Sequence, residues 1–155
     1  MLLDFDSLPD DSRIWIYSSE DKLTVDQENY ILNNLNHLLK TWEAHKVPLY
    51  SGIKIINNHF IVVALDESRN CASGCSIDML QKKVQKIEKE LEISLLNRLN
   101  VFCVLDNTIV SIAASELKDK VNQSTLFYDL TISKKSDLNN FLKPIQEGWC
   151  LRLLH

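Results

Sequence analysis

The sequence predicts an α+β fold, a mainly antiparallel sheet with helices packed on it, forming one domain over residues 1–155. Three observations carry that expectation. Apolar segments are twice interrupted by dipeptides that tolerate positive φ, Asn57-Asn58 and Asp106-Asn107, and so read as hairpins. Two longer stretches repeat apolar residues at helical spacing. The 155 residues are 45% hydrophobic and 25% charged, the balance of an ordinary globular chain.

Arg13–Tyr17 is β-branched and aromatic between acidic, serine-rich turns, and predicts a first strand. Thr24 with Gln27 three positions on is a capping-box pattern. The helix it starts runs to about Ala44, with Ile31, Leu35, Leu38 and Trp42 on one face, His45 one turn further, and Pro48 as its stop. Leu49–Ile56 and His59–Leu65 follow as hairpin arms. The second is apolar on both faces, as a central strand is. After the polar loop Asp66–Ser76, a second helix aligns Ile77, Leu80, Val84, Ile87 and Leu91, its lysines forming a solvated face. Val101–Leu105 and Thr108–Ala113 make another hairpin. A short helix from Ser115, a strand at Leu126–Ile132 and a helix from Ser136 to about Leu142 complete the chain. The leading order β-α-β-β-α-β suits a ferredoxin-like core, strands one and three central, with a C-terminal β-α-β-α extension.

Several functions are excluded or disfavoured. With glycine only at 52, 74 and 148, neither G-x-x-x-x-G-K-[ST] nor G-x-G-x-x-G exists, which removes P-loop nucleotide hydrolysis and a Rossmann dinucleotide site. A net charge of −4 argues against a nucleic-acid partner, which wants a clustered basic face. The longest apolar run, Phe60–Leu65, is far short of the ~20 residues of a membrane span, so no membrane insertion is expected. The acidic start Met1-Leu2-Leu3-Asp4-Phe5-Asp6 does not resemble a signal peptide, which points to the cytoplasm and to reduced thiols.

Chemistry concentrates in the loop before the second helix. Gly74 suggests a sharp turn or a close approach there, and Ser73 or Ser76 supplies the N-cap. Cys75 then falls at or just before the first helical turn, where unpaired N–H groups and the dipole stabilise negative charge. Either a thiolate nucleophile, with His45 as base if the fold brings it near, or a bound anion such as phosphate or carboxylate would use that field. The plain alternative is a small cysteine filling an apolar niche in a tight connection. Asp66 and Glu67 form a candidate carboxylate pair at a strand end, and Asp78 is a further polar residue nearby. Cys71-x-x-x-Cys75 with Asp66, His45 or His59 has zinc donor types but no second ligand pair, so neither a metal nor a cofactor is expected. Cys103 reads as a buried hydrophobe, and Cys150 carries no motif.

Several blocks together resemble a family of small Bacteroidetes proteins. They are Phe5-Asp6-Ser7-Leu8-Pro9 with Ser12–Tyr17, Trp42–His45 with Pro48-Leu49, Phe60-Ile61-Val62 leading into Asp66-Glu67-Ser68, and Trp149. Ala72-Ser73-Gly74-Cys75-Ser76-Ile77-Asp78 is the most specific. The resemblance covers most of the chain, and members often bear the label "ABC transporter ATPase" without an activity to carry over. This chain has no Walker loop to match that label. Cys71 stands where the family pattern has a small residue such as glycine, which leaves Cys75 as the thiol of interest.

The sequence therefore predicts a cytoplasmic, non-catalytic binding or interaction module whose recognition loop is 66–78. Its ligand site would be Asp66, Glu67, Ser73, Gly74, Ser76 and Asp78, and its partner an unidentified protein or a small anionic ligand. The alternatives are a thiol-dependent enzyme or redox protein using Cys75 and His45, and an accessory protein of a transporter without ATPase activity.

Overall fold

The computed structural model describes all 155 residues. It is α+β, with antiparallel sheets and helices, and divides into two compact units: Met1–Leu96 with Ser133–Ser136, and Asn97–Ile132 with Asp137–His155.

In the first unit the elements are β1 (Arg13–Ser18), α1 (Val25–Lys40), β2 (Glu43–Ala44), β3 (Val47–Pro48), β4 (Ser51–Ile56), β5 (Phe60–Leu65) and α2 (Gly74–Leu91). The main sheet has the order β1-β5-β4, antiparallel throughout, with Leu65 opposite both Arg13 and Ser51. Every residue of β5 is buried, as its unbroken apolar run demands of a central strand. Alternation sends Ile61, Val63 and Leu65 into a core with Ile31, Leu35 and Leu39 of α1 and Leu80, Val84 and Ile87 of α2. Each such side chain contributes about 1.5–3 kcal/mol relative to exposure. The free edge of β1 is covered by the returning segment: Ile14 N–H donates to Ser133 O at 3.0 Å and Lys135 N–H to Ser12 O at 2.8 Å.

The second unit contains β6 (Asn100–Leu105), β7 (Thr108–Ala113), α3 (Leu117–Lys120), β8 (Leu126–Tyr128) and β9 (Leu142–Pro144), with sheet order β7-β6-β8-β9. Val101, Cys103, Ile112, Leu117, Phe127, Ile145 and Cys150 form its core. No helix in the chain is long and apolar enough to cross a membrane.

The predicted ferredoxin-like sheet would return the fourth main strand beside the first. Instead β6 belongs to a different sheet, and β1-β5-β4 remains three-stranded. Segment 135–140 is 3₁₀ rather than α-helical, the strand expected over 126–132 stops at Tyr128, and a 3₁₀ stretch covers Trp149–Leu154. The largest local difference is that α1 ends at Lys40, not near Ala44. Trp42 matches the helical spacing of Leu35 and Leu38 and is buried, but it reaches the core from the non-helical segment after Thr41. Leu39, not Leu38, is the fully buried residue of the last turn.

Candidate functional site

The site is built where two short devices meet in the first unit. One is the turn joining β2 to β3, His45-Lys46, in which both residues are left-handed, with φ of 54° and 66°. Two positive φ values in a two-residue hairpin define a type I′ turn, a position that favours Asn-Gly. His45 is thus not on the face of α1. It sits exposed at the tip of a miniature hairpin.

The other device is the start of α2. Ser73 N-caps the helix by accepting from Ser76 N–H at 3.1 Å, while Ser73 N–H donates to Ser76 Oγ at 2.7 Å, completing a capping box. Gly74 and Cys75 are therefore the first two helical residues, and their N–H groups donate to no group of the chain. Gly74 does not make the expected sharp turn or close approach: its φ is not positive, and an added Cβ would meet nothing within 4 Å. The close approaches are at Gly52, where an added Cβ would lie 2.8 Å from Leu3 O, and at Gly148, where it would lie 2.1 Å from Phe127 Cζ.

Two side chains hold the devices together. The indole of Trp42, 1% exposed, donates from Nε1 to Ser76 O at 2.9 Å. Asn70 Nδ2 donates to Ala44 O at 3.3 Å and Val47 O at 3.1 Å, clamping the base of the His45-Lys46 turn. The result is an open depression of about 600 Å³. Glu43, His45 and Lys46 line one side, and Ser73–Ser76 with Met79 line the other.

The structure thus brings together His45, Ser73, Gly74, Cys75 and Ser76, although Ser76 is buried and serves the cap. Asp66, Glu67 and Asp78 do not join them. The carboxylate of Asp66 closes its own turn, accepting from Ser68 N–H at 3.0 Å and Ser68 Oγ at 2.6 Å. Glu67 accepts from Ala72 N–H at 3.2 Å and pairs with Arg13 at 3.8 Å. These acids shape the 66–72 loop and do not form a carboxylate pair over the depression. Asp78 pairs with Lys82 at 2.9 Å on the exposed face of α2. The Lys82 ammonium is held above its ordinary pKa first by that hydrogen bond and then by the Asp78 charge.

Cys75 is exposed, which removes the apolar-niche explanation for it. Cys71 is also exposed, its thiol directed at Glu67 O at 3.6 Å. Cys103 and Cys150 are fully buried. Burial, with a smaller contribution from Cys150, pushes the Cys103 thiol up to about 12. No group of three or more His, Cys, Asp or Glu side chains is arranged to hold a metal ion, and buried His59 bonds Ser19 O through Nδ1 at 2.9 Å.

Lys46, Glu43, Met79, Asn70 and Trp42 are the site residues that sequence reasoning missed. Only Trp42 carried a usable signal, an indole that must find an acceptor when buried. Compared with family models, curated proteins and solved structures, the chain matches none.

Proposed function

We propose that this chain is a binding module whose recognition site is the depression between the His45-Lys46 turn and the start of α2, and whose ligand presents an anionic group. The observation that carries this reading is convergence. Gly74 and Cys75, whose N–H groups are unbonded at the positive end of an 18-residue helix, line one concavity with Lys46. A helix N-terminus favours negative charge, and a lysine on the facing wall adds a donor with full charge. Met79, 53% exposed on the same wall, offers apolar contact to the body of such a ligand, whether a small molecule or a protein side chain. Asp66 and Glu67 are engaged within their own loop, and Glu43 is the one carboxylate that lines the depression. The four free thiols suit a reducing compartment, and we read the protein as cytoplasmic.

The test is a titration with inorganic phosphate followed by ¹H–¹⁵N NMR. Saturable shifts centred on the Gly74 and Cys75 amides, lost in Lys46→Glu, are expected. The absence of saturation, or unchanged affinity in Lys46→Glu, would overturn the reading.

A second reading is favoured by the exposed Cys75 itself, which occupies the second helical position of α2 and shares the depression with His45. A thiol-dependent enzyme or redox protein would use that arrangement. Its test is the pH profile of Cys75 alkylation, given in the Discussion.

A further inference from the structure

The sheet of the second unit has an edge that the rest of the chain leaves open. β7 is its outer strand, paired with β6 on one side and with no strand or bridge on the other. The turn at Asp106-Asn107, with φ of 50° and 61°, fixes which backbone groups of β7 face outward. Leu105 and Thr108 flank that two-residue turn and form a hydrogen-bonded pair, so Cys103–Val110 and Val101–Ile112 are the next such pairs. The same alternation continues at Ala114, whose N–H donates to Leu99 O at 2.9 Å. Ile109, Ser111 and Ala113 therefore turn their N–H and C=O groups away from β6. None of those N–H groups donates within the chain. The carbonyls of Ile109 and Ser111 accept nothing, while that of Ala113 opens the 3₁₀ turn Ala114–Glu116.

The other edges of the two main sheets are covered or blunted. Ser133 and Lys135 bond along β1, and at the start of β4 Leu3 N–H donates to Ser51 O at 2.7 Å. β4 also carries Lys54, and β9 is three residues long and ends in Pro144, which has no N–H. β7 uses none of these devices. Its sequence, Thr-Ile-Val-Ser-Ile-Ala, contains neither charge nor proline, and Thr108, Ile109, Val110 and Ile112 are β-branched. An uncharged edge of that length, with unpaired backbone groups, is a template for one more strand.

Register and charge fit this edge to itself. A two-fold axis through Ser111 sets Ser111 opposite Ser111 of a second copy, and Ile109 opposite Ala113 of that copy. Ser111 N–H then meets Ser111 O across the axis, and Ala113 N–H meets Ile109 O, each bond repeated by symmetry. Both idle carbonyls of β7 are thereby used. A large side chain lies against a small one at Ile109 and Ala113, and two uncharged strands meet without repulsion. We propose that the chain self-associates through β7, two copies joining the sheets of their second units into one continuous antiparallel sheet. A strand pair is smaller than the roughly 1,200–2,000 Å² of a stable interface, so the dimer is weak, with Kd on the order of 0.1 mM.

The test is sedimentation velocity of the full chain from about 10 µM to about 1 mM, a range that brackets such a Kd. A reducing agent keeps the exposed Cys71 and Cys75 as thiols. Monomer giving way to dimer is expected. Over the same range the Ser111 and Ala113 amides should shift in ¹H–¹⁵N spectra, and those of Val110 and Ile112, already bonded to β6, should shift less. Ser111→Pro removes the central N–H at an outward position, where an edge strand accepts proline, and weakens the dimer about tenfold or more. Ile109→Lys leaves every backbone group in place and places a charge at the edge, weakening the dimer about tenfold. The proposal is overturned if the chain stays monomeric at about 1 mM, or if folded Ile109→Lys associates as its parent does. Concentration-dependent shifts centred on another surface, such as the Gly74 and Cys75 amides, would also overturn it.

Discussion

Replacing His45-Lys46 with Asn-Gly separates what the turn does for stability from what it does for binding. Both native residues are left-handed, at φ 54° and 66°. For an L-residue that conformation costs roughly 1–2 kcal/mol, with histidine and asparagine among the better tolerated side chains. At position 45 the exchange is close to neutral. At position 46 glycine relieves the steric cost but loses roughly 0.5–1 kcal/mol of chain entropy on folding. The net expectation is a gain of about 1 kcal/mol, or about 2–4 °C in Tm for a chain of this size. The same exchange deletes the lysine ammonium and the imidazole from the depression, so phosphate affinity falls about tenfold or more. Urea unfolding is best followed in a Trp149→Phe background, where both remaining indoles lie in the first unit. A double variant less stable than its parent would refute the account of the turn. A more stable one that binds phosphate as before would refute the account of the site. Gained stability with lost binding is the signature of a strained turn used for recognition.

Three further outcomes follow from other parts of the molecule. Gly148→Ala drives a methyl to 2.1 Å from Phe127 Cζ and should destabilise the second unit by about 1–3 kcal/mol or more, whereas Gly74→Ala, with nothing within 4 Å, should be neutral or stabilising; thermal melts of the pair decide it. Burial pushes the Asp129 carboxyl up, but the Lys143 hydrogen bond, the Thr131 hydroxyl and N–H, and the Lys143 charge together bring it below its usual value. A depressed carboxyl contributes stability that is present above the unfolded value, about 3.9, and is lost as pH falls through the folded value. Urea midpoints should therefore drop below about pH 4, and Lys143→Met should cost about 3 kcal/mol at neutral pH by leaving a buried carboxylate unpaired. In Cys71→Ser, with Cys103 and Cys150 buried, iodoacetamide should label Cys75 alone in the folded protein. A rate already on its plateau at neutral pH, and reduced in His45→Ala, supports the thiol reading, while a rate that climbs only in alkaline solution sinks it.

Most of the fold was legible because burial and turn chemistry are written locally. Phe60–Leu65 has no polar face and became the central strand. Asp106-Asn107 marked a two-residue hairpin, and both residues have positive φ. Thr24 with Gln27 closed a capping box, its two bonds at 2.9 and 3.1 Å. Sheet membership was not legible, because β6 is equally apolar whether it lies beside β1 or pairs with β7 and β8. That choice is made by long-range pairing, which leaves no periodic trace in the strand itself.

The site was half legible for a related reason. Cys75 and its serines lie in consecutive positions, so the helix start could be read directly. The facing wall could not. His45-Lys46 has no glycine or asparagine to announce a type I′ turn, and Trp42 happens to continue the helical spacing of α1. Both anomalies have one physical cause, because the segment after Lys40 is shaped by bonds to residues distant in the chain. Trp42 is tied to Ser76 across 34 positions, and Asn70 reaches back 26 and 23 positions to Ala44 and Val47. A turn imposed from outside is free of the residue preferences that a self-standing hairpin must obey, and so it can carry a histidine and a lysine where Asn-Gly would be more stable. The two left-handed residues carry their conformational cost at the wall of the depression, so the binding proposed for it stands or falls with His45 and Lys46 more than with the cysteine.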